Sequence, residues 1–103
     1  MSSPVLPYNT GGWMNRIIQI EWQAERAAHI QVKHQVAPKE VEEACFGHPI
    51  ILRGRGSQIY QVMGQTHAGR YLFIIVRFLG EGKARLITAR DMNHAERKWY
   101  SRR

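Results

Sequence analysis

Gly69-Arg-Tyr-Leu-Phe-Ile-Ile-Val-Arg-Phe-Leu79, then Gly80-Glu81-Gly82, then Lys83-Ala-Arg-Leu-Ile-Thr-Ala-Arg-Asp-Met-Asn-His-Ala-Glu-Arg-Lys-Trp-Tyr100, is the stretch that organises this chain. Leu72, Ile74, Val76 and Phe78 alternate with Tyr71, Phe73 and Ile75, so both faces of the first strand are apolar, as in the middle of a sheet. The glycine-flanked turn returns the chain into a second strand, Lys83 to Ala89. Arg70, Arg77, Arg85 and Arg90 are set into this pair. Guanidinium groups held on rigid strands point to a partner with fixed negative charge.

Working outward, Asn93 and Glu96 have the spacing of a capping box, so a final helix starts near Asp91 or Asn93. Met92, Ala95, Glu96 and Trp99 share one stripe of it, which predicts Trp99 packed on the sheet. Upstream, Gln58 to Gly64 alternates as a strand, and Gln65 to Gly69 turns the chain. Before it come a short strand, Ile50 to Leu52, and a basic glycine-punctuated loop, Arg53-Gly-Arg55-Gly-Ser57. Pro38 suits the first turn of a helix that Gly47-His48-Pro49 stops. Val41, Ala44 and Cys45 fall at i, i+3 and i+4 and form its buried stripe. Gln23 to about Lys33 is a second helical segment, with Ala24, Ala27, Ala28 and Val32 on a loose stripe, and His34-Gln35-Val36 leaves it. Residues 16–22 predict a strand with Ile18, Ile20 and Trp22 facing one way. Residues 1–13, with two prolines and a Gly-Gly pair, are expected to be a flexible leader, and 14–103 a single domain. The fold class is therefore α+β, with two N-terminal helices, an antiparallel sheet of four to five strands and a C-terminal helix. Short turns between the later strands favour antiparallel pairing, since parallel strands need a long crossover.

With 103 residues the chain can build one modest core. No apolar run reaches the roughly 20 residues that span a bilayer, and no signal peptide is expected. A lone Cys45 forms no internal disulfide, which points to the cytoplasm. Charge is uneven. Residues 1–46 carry four bases and five acids, whereas residues 47–103 carry eleven bases and three acids. That asymmetry fits nucleic acid or an acidic protein competing for the same surface, or else a solvated basic face.

The residue types exclude several chemistries. The five histidines are scattered without ligand spacing, so no metal is expected. Asp91 is the sole aspartate, which argues against a two-metal carboxylate nuclease. No nucleotide-binding loop is present and no cofactor is implied. Cys45 lies on an apolar stripe and is expected to be buried rather than nucleophilic. Metal-free RNA cleavage fits what remains. A ribose 2′-OH can attack its neighbouring phosphate, given a base, an acid for the leaving oxygen and cations for the phosphoryl charge. His34 beside Lys33 offers an imidazole and a cation together. The alternatives are that His34 is a polar helix end, that Glu96 is only a cap, and that the arginines cover sheet surface or pair with glutamates of the second helix.

Trp22, Lys33-His34-Gln35-Val36, Glu43-Ala44 and Phe46 resemble the front half of the BrnT-type toxins. Met63-Gly64-Gln65-Thr66, Gly69-Arg70-Tyr71-Leu72, Leu86-Ile87-Thr88-Ala89-Arg90 and Glu96-Arg97 ahead of Tyr100 resemble the back half. The likeness runs from about Ile18 to Tyr100. It implies a RelE-like α+β fold and a metal-independent endoribonuclease that blocks translation. It also implies a type II toxin held silent by a cognate BrnA-type antitoxin, as a dimer or a toxin–antitoxin hetero-oligomer. By position, the family's Lys-His motif falls on Lys33 and His34, its arginine after the hairpin glycine on Arg70, and its basic residues of the last strand on Arg85 and Arg90. The Glu-Arg of its last helix falls on Glu96 and Arg97. Three positions depart from the pattern. Gln35 stands for a glycine, Ala37 for a capping serine, and Ile59 for an arginine whose role Arg53 or Arg55 could take.

The expected site is thus His34, Arg70, Arg85 and Arg90 for catalysis, with Lys33, Arg53, Arg55, Arg77 and Arg97 on the RNA. A basic module that binds nucleic acid or an acidic protein without cutting is the alternative. A DNA-binding antitoxin is disfavoured, because no helix-turn-helix is evident.

Overall fold

In the computed structural model, which describes residues 16–102, the central hairpin forms as its turn residues dictate. Strands β4 (Tyr71–Gly80) and β5 (Lys83–Asp91) pair antiparallel, with Gly80 opposite Lys83. Between them Glu81 and Gly82 have φ of 56° and 76°. Two successive positive φ values make the tight turn whose twist matches the flanking strands. Leu72, Ile74 and Val76 are fully buried on one face of β4, and Tyr71, Phe73 and Ile75 half-buried on the other. The leader expected over 1–13 lies outside the described residues, as do residues 14, 15 and 103.

The sheet has the order β1-β5-β4-β3-β2, where β1 is Gln19–Glu21, β2 is Ile50–Arg53 and β3 is Ile59–Gln65. Strands β2 to β5 are antiparallel, as expected. The first strand differs: β1 runs parallel to β5, so the sheet is mixed. No short turn joins β1 to β5, so the turn lengths that fix the other pairings say nothing about it. The outward side chains of the N-terminal segment are also redistributed. Ile17 and Ile20 are buried, while Ile18 is 61% exposed, with its N–H on the Gly82 carbonyl at 2.8 Å. Regular alternation does not extend back to Ile18, because β1 spans only three residues.

Helices α1 (Ala24–His34) and α2 (Pro38–Phe46) cover one face of the sheet. Helix α1 lies over β5 through Ile30, with Ala27 half-buried one turn before it. Val32, expected on that stripe, is 82% exposed. The alanines of this helix are too small to fix its rotation, and the one large apolar residue at i+3 from Ala27 decides it. Helix α2 buries Val41, Ala44 and Cys45, the expected stripe. Burial, with Glu42 nearby, pushes the Cys45 thiol up to about 12, which leaves it a core residue with no thiolate to offer.

Helix α2 can seat on β3 because β3 carries Gly64. A Cβ there would lie 2.4 Å from the carbonyl oxygen of Ala44. Backbone on both sides of the contact leaves nothing to rotate away. Gly64→Ala is therefore expected to destabilise the fold by about 2–3 kcal/mol, seen as a lower urea midpoint with an unchanged slope.

The third helix, α3 (His94–Ser101), begins with the expected capping box. Glu96 N–H donates to Asn93 Oδ1 at 2.8 Å, and Asn93 N–H donates to Glu96 Oε1 at 2.9 Å. Trp99 is half-buried, and no residue of α3 is fully buried. No helix among the described residues is long and apolar enough to cross a membrane.

Candidate functional site

Side chains directly opposite on neighbouring strands share a face, so the strand register assigns each basic residue on a paired strand to a side. The face turned away from α1 and α2 carries three successive rungs. Ile50, Met63, Phe73 and Arg90 stand in one line across β2, β3, β4 and β5. Leu52, Gln61, Ile75 and Thr88 form the next. Ile59, Arg77, Arg85 and Glu21 form the third, where Arg77 and Arg85 are directly opposite. Guanidinium groups thus occupy both ends of this face, with apolar and aromatic side chains between. Phe73 and Arg77 are four positions apart on β4, roughly 13 Å at strand rise.

The donors at the two ends are differently engaged. Arg85 Nε–H is held by Glu21 Oε1, and Arg77 donates one Nη1–H to the Ser57 carbonyl at 3.1 Å. Four N–H groups on each remain open among the described residues. Two like charges facing one another across strands are unfavourable in isolation, and a single carboxylate beside them leaves a net positive pair. At the other end, Arg90 makes a two-point bridge to Glu96, at 2.8 and 2.9 Å, and lies 4.2 Å over the Phe73 ring. The Arg90 guanidinium, with the Asn93 backbone, holds the Glu96 carboxyl below the usual range. Glu96 is therefore cap and counter-ion at once. Next to it, Arg97 lies 4.5 Å over the Tyr71 ring, and Tyr71 meets Tyr100 edge to face at 5.9 Å.

Arg70 stands apart from these. All five of its N–H donors are committed. Nε and Nη2 bind the two oxygens of Asp91 at 2.6 and 3.0 Å. Nη1 binds the Gln35 carbonyl at 2.7 Å and Glu40 Oε1 at 3.0 Å, and Nη2 binds the His34 carbonyl at 3.1 Å. One side chain thus fastens the turn between α1 and α2 to the ends of β4 and β5. Arg70 thus pairs with Glu40, a glutamate of the second helix, as the alternative to a phosphate-binding role requires. Gln35 sits in that turn at φ 55°, the left-handed conformation that a glycine would adopt freely. Glu40 also caps α2 by accepting from Ala37 N–H at 2.9 Å, its own half of a capping box whose other half alanine has no side-chain oxygen to supply.

His34 is half-buried at the end of α1, its ring 6.1 Å from that of His29. Its backbone carbonyl shares the Arg70 guanidinium with Asp91, whose carboxyl that guanidinium holds below its ordinary value. Asp91 follows Arg90 in the chain, so β5 ends with Arg90 on one side and the His34–Asp91–Arg70 corner on the other. A cleft of about 210 Å³ takes its lining from both sides, Arg70 and Asp91 from the corner and Tyr71 and Arg97 from the other face, with Gly69 and Met92.

The remaining basic residues are dispersed. Lys33 is exposed on α1. Arg53, on the edge strand β2, faces the helix side, where Nη1 donates to Tyr60 Oη at 3.0 Å. Arg55 is exposed in the loop after β2. At one end of the sheet the structure therefore places Arg90 and Arg97 on one side and Arg70 and His34 on the other, and at the opposite end Arg77 and Arg85, with Arg53, Arg55 and Lys33 outside these groups. Sequence reasoning missed Asp91, which pairs with Arg70, and Arg26, whose Nη1 donates to the Ile87 carbonyl at 2.9 Å where β5 bulges. It also gave no role to Tyr71 or Tyr100. Only the aromatic character of those two positions hinted at one.

No protein-family profile and no curated protein sequence matches the chain. Among solved structures, the fold is similar to that of the ribonuclease toxin BrnT of Brucella abortus, with a TM-score of 0.61 and 13% sequence identity. The match covers 75% of this chain and 99% of that one. The BrnT-type fold expected from the resemblance is the fold of this chain.

Proposed function

We propose that this protein is a ribonuclease toxin that cuts single-stranded RNA without a metal ion, at the end of the sheet that carries Arg90 and Arg97 on the face turned away from α1 and α2 and His34 on the other side of β5. The observation that carries this reading is the placement of guanidinium groups at both ends of one face, with the half-buried Phe73 and Ile75 between them. A sugar–phosphate strand offers the matching pattern, with phosphates for Arg77, Arg85, Arg90 and Arg97 and base faces for the apolar middle. The likeness in fold to a ribonuclease toxin supports it.

The reaction is attack of a ribose 2′-oxygen on the adjacent phosphorus. The 2′-O–P bond forms, the P–O5′ bond breaks, one proton leaves the 2′-OH and one reaches O5′. His34 is the residue assigned to proton transfer, from the corner beside Asp91. Arg90 and Arg97 stabilise the phosphoryl oxygens, and Arg85 and Arg77 hold the strand further along. With every donor engaged, Arg70 acts as a positioning residue that fixes the His34 backbone. Lys33, Arg53 and Arg55 extend the electrostatic attraction beyond this face. As a toxin it would act in the cytoplasm, block translation and be silenced by an antitoxin of the BrnA type.

Carboxylates on Arg70, Arg85 and Arg90 favour a second reading, a module that binds RNA without cutting it. One assay separates the two. Purified protein with excess EDTA is expected to shorten RNA, and Arg90→Ala to slow this about 100-fold or more. Salt-sensitive binding with no products would favour the binding module.

A further inference from the structure

On the far side of Tyr71 from the His34 corner lies a larger cleft, about 510 Å³, lined by His48, Ile50, Gln65, Tyr71, Tyr100 and Ser101. None of these residues was expected in the site, and none has a role in the chemistry above. The volume falls within the range of small-molecule pockets.

Its chemistry is specific. The Tyr71 and Tyr100 rings meet at 76° and form an aromatic corner. Gln65 donates one amide N–H to the Gly69 carbonyl at 3.1 Å, which leaves its second N–H and its Oε1 available. The His48 ring and the Ser101 hydroxyl have no partner among the described residues. The lining therefore offers ring surface for stacking and a short set of donors and acceptors for a polar edge. It contains no carboxylate, so nothing in it selects a cation. It contains no lysine or arginine either, so it is not itself a phosphate site.

Phosphate-binding groups lie immediately outside. Arg97 covers Tyr71 at 4.5 Å. Phe73, two residues along the same face of β4, carries Arg90. A nucleotide whose phosphate rests on Arg90 and Arg97 would have its base within reach of the aromatic corner. Unpaired bases are recognised in this way, by stacking on aromatic rings and hydrogen bonding of their exposed edges.

We infer that this cleft receives one unpaired nucleobase of the RNA and so selects the position at which the strand is cut. The inference rests on the ribonuclease reading, but part of its test does not need cleavage. A short single-stranded RNA carrying 2-aminopurine at successive positions should change in fluorescence on binding at one position, and the same sequence as a duplex should not. Tyr100→Ala should weaken binding of that oligonucleotide about tenfold or more. The double variant Gln65→Ala/His48→Ala, at two exposed positions, should keep the thermal midpoint and redistribute the cleavage sites. Unchanged affinity and cleavage sites in both variants would overturn the cleft, as would wild-type binding with no position-dependent fluorescence. If the fluorescence change is present and depends on Tyr100 while no RNA is cut, the cleft stands and the ribonuclease reading fails. If RNA is cut with the same sites in every variant, the ribonuclease reading stands and the cleft fails. Binding of an aromatic peptide in place of the oligonucleotide would also overturn it.

Discussion

Replacing Arg70 with alanine is expected to remove about 3 kcal/mol of stability, roughly 15 °C in thermal midpoint for a domain of this size. The variant would lose five hydrogen bonds at once. It would also leave Asp91 and Glu40 without the cation they share, and two carbonyls of a tight turn without their donor. Bonds to charged groups contribute about 1.5–3 kcal/mol each when buried, and the partial exposure of this cluster reduces the sum. Arg70→Lys should recover less than half of the loss, because a single ammonium cannot serve both Asp91 oxygens and the two carbonyls. An acid limb accompanies this. The Asp91 carboxyl is held below its usual value chiefly by Arg70. Its contribution is therefore complete above the unfolded value of about 3.9 and is lost as pH falls through the lower folded value. Glu96, held down chiefly by Arg90, behaves in the same direction. Urea titrations between pH 2 and 7 should show stability falling below about pH 4, with a shallower fall in Asp91→Asn.

His34→Ala is expected to lower kcat for RNA cleavage by about 10²- to 10⁴-fold with little change in KM. Its fold should survive, because Arg70 holds His34 by the backbone carbonyl, which alanine keeps. Arg85→Ala should do the reverse. It would raise KM and reduce the salt dependence of binding by about one phosphate contact, with a smaller effect on kcat. The contrast tests the division of the sheet into a reacting end and a holding end. An unchanged kcat in His34→Ala would remove the imidazole from the mechanism.

Local features of the fold were legible because local chemistry decides them. The Glu81-Gly82 turn, the Asn93–Glu96 cap and the Val41–Ala44–Cys45 stripe each depend on residues within a few positions of one another. The rotation of α1 and the facing of Ile17 and Ile18 were not legible, because weakly patterned alanines and a three-residue edge strand take their orientation from β5. The site divides in the same way. A basic half-chain announces an anionic partner, but sequence cannot tell an open guanidinium from a saturated one. Arg70 draws its partners from residues 21, 30, 35 and 36 positions away. Only the assembled fold shows that it is a clasp, while Arg77 and Arg85 keep most of their donors open.

The most direct measurement is the chemistry of the RNA ends produced by purified protein in excess EDTA. Cleavage by the 2′-oxygen at this end of the sheet predicts 2′,3′-cyclic phosphate and 5′-hydroxyl termini, absent when the residue at the cut carries 2′-O-methyl and strongly reduced in His34→Ala. Intact RNA, or products ending in 5′-phosphate, would contradict it.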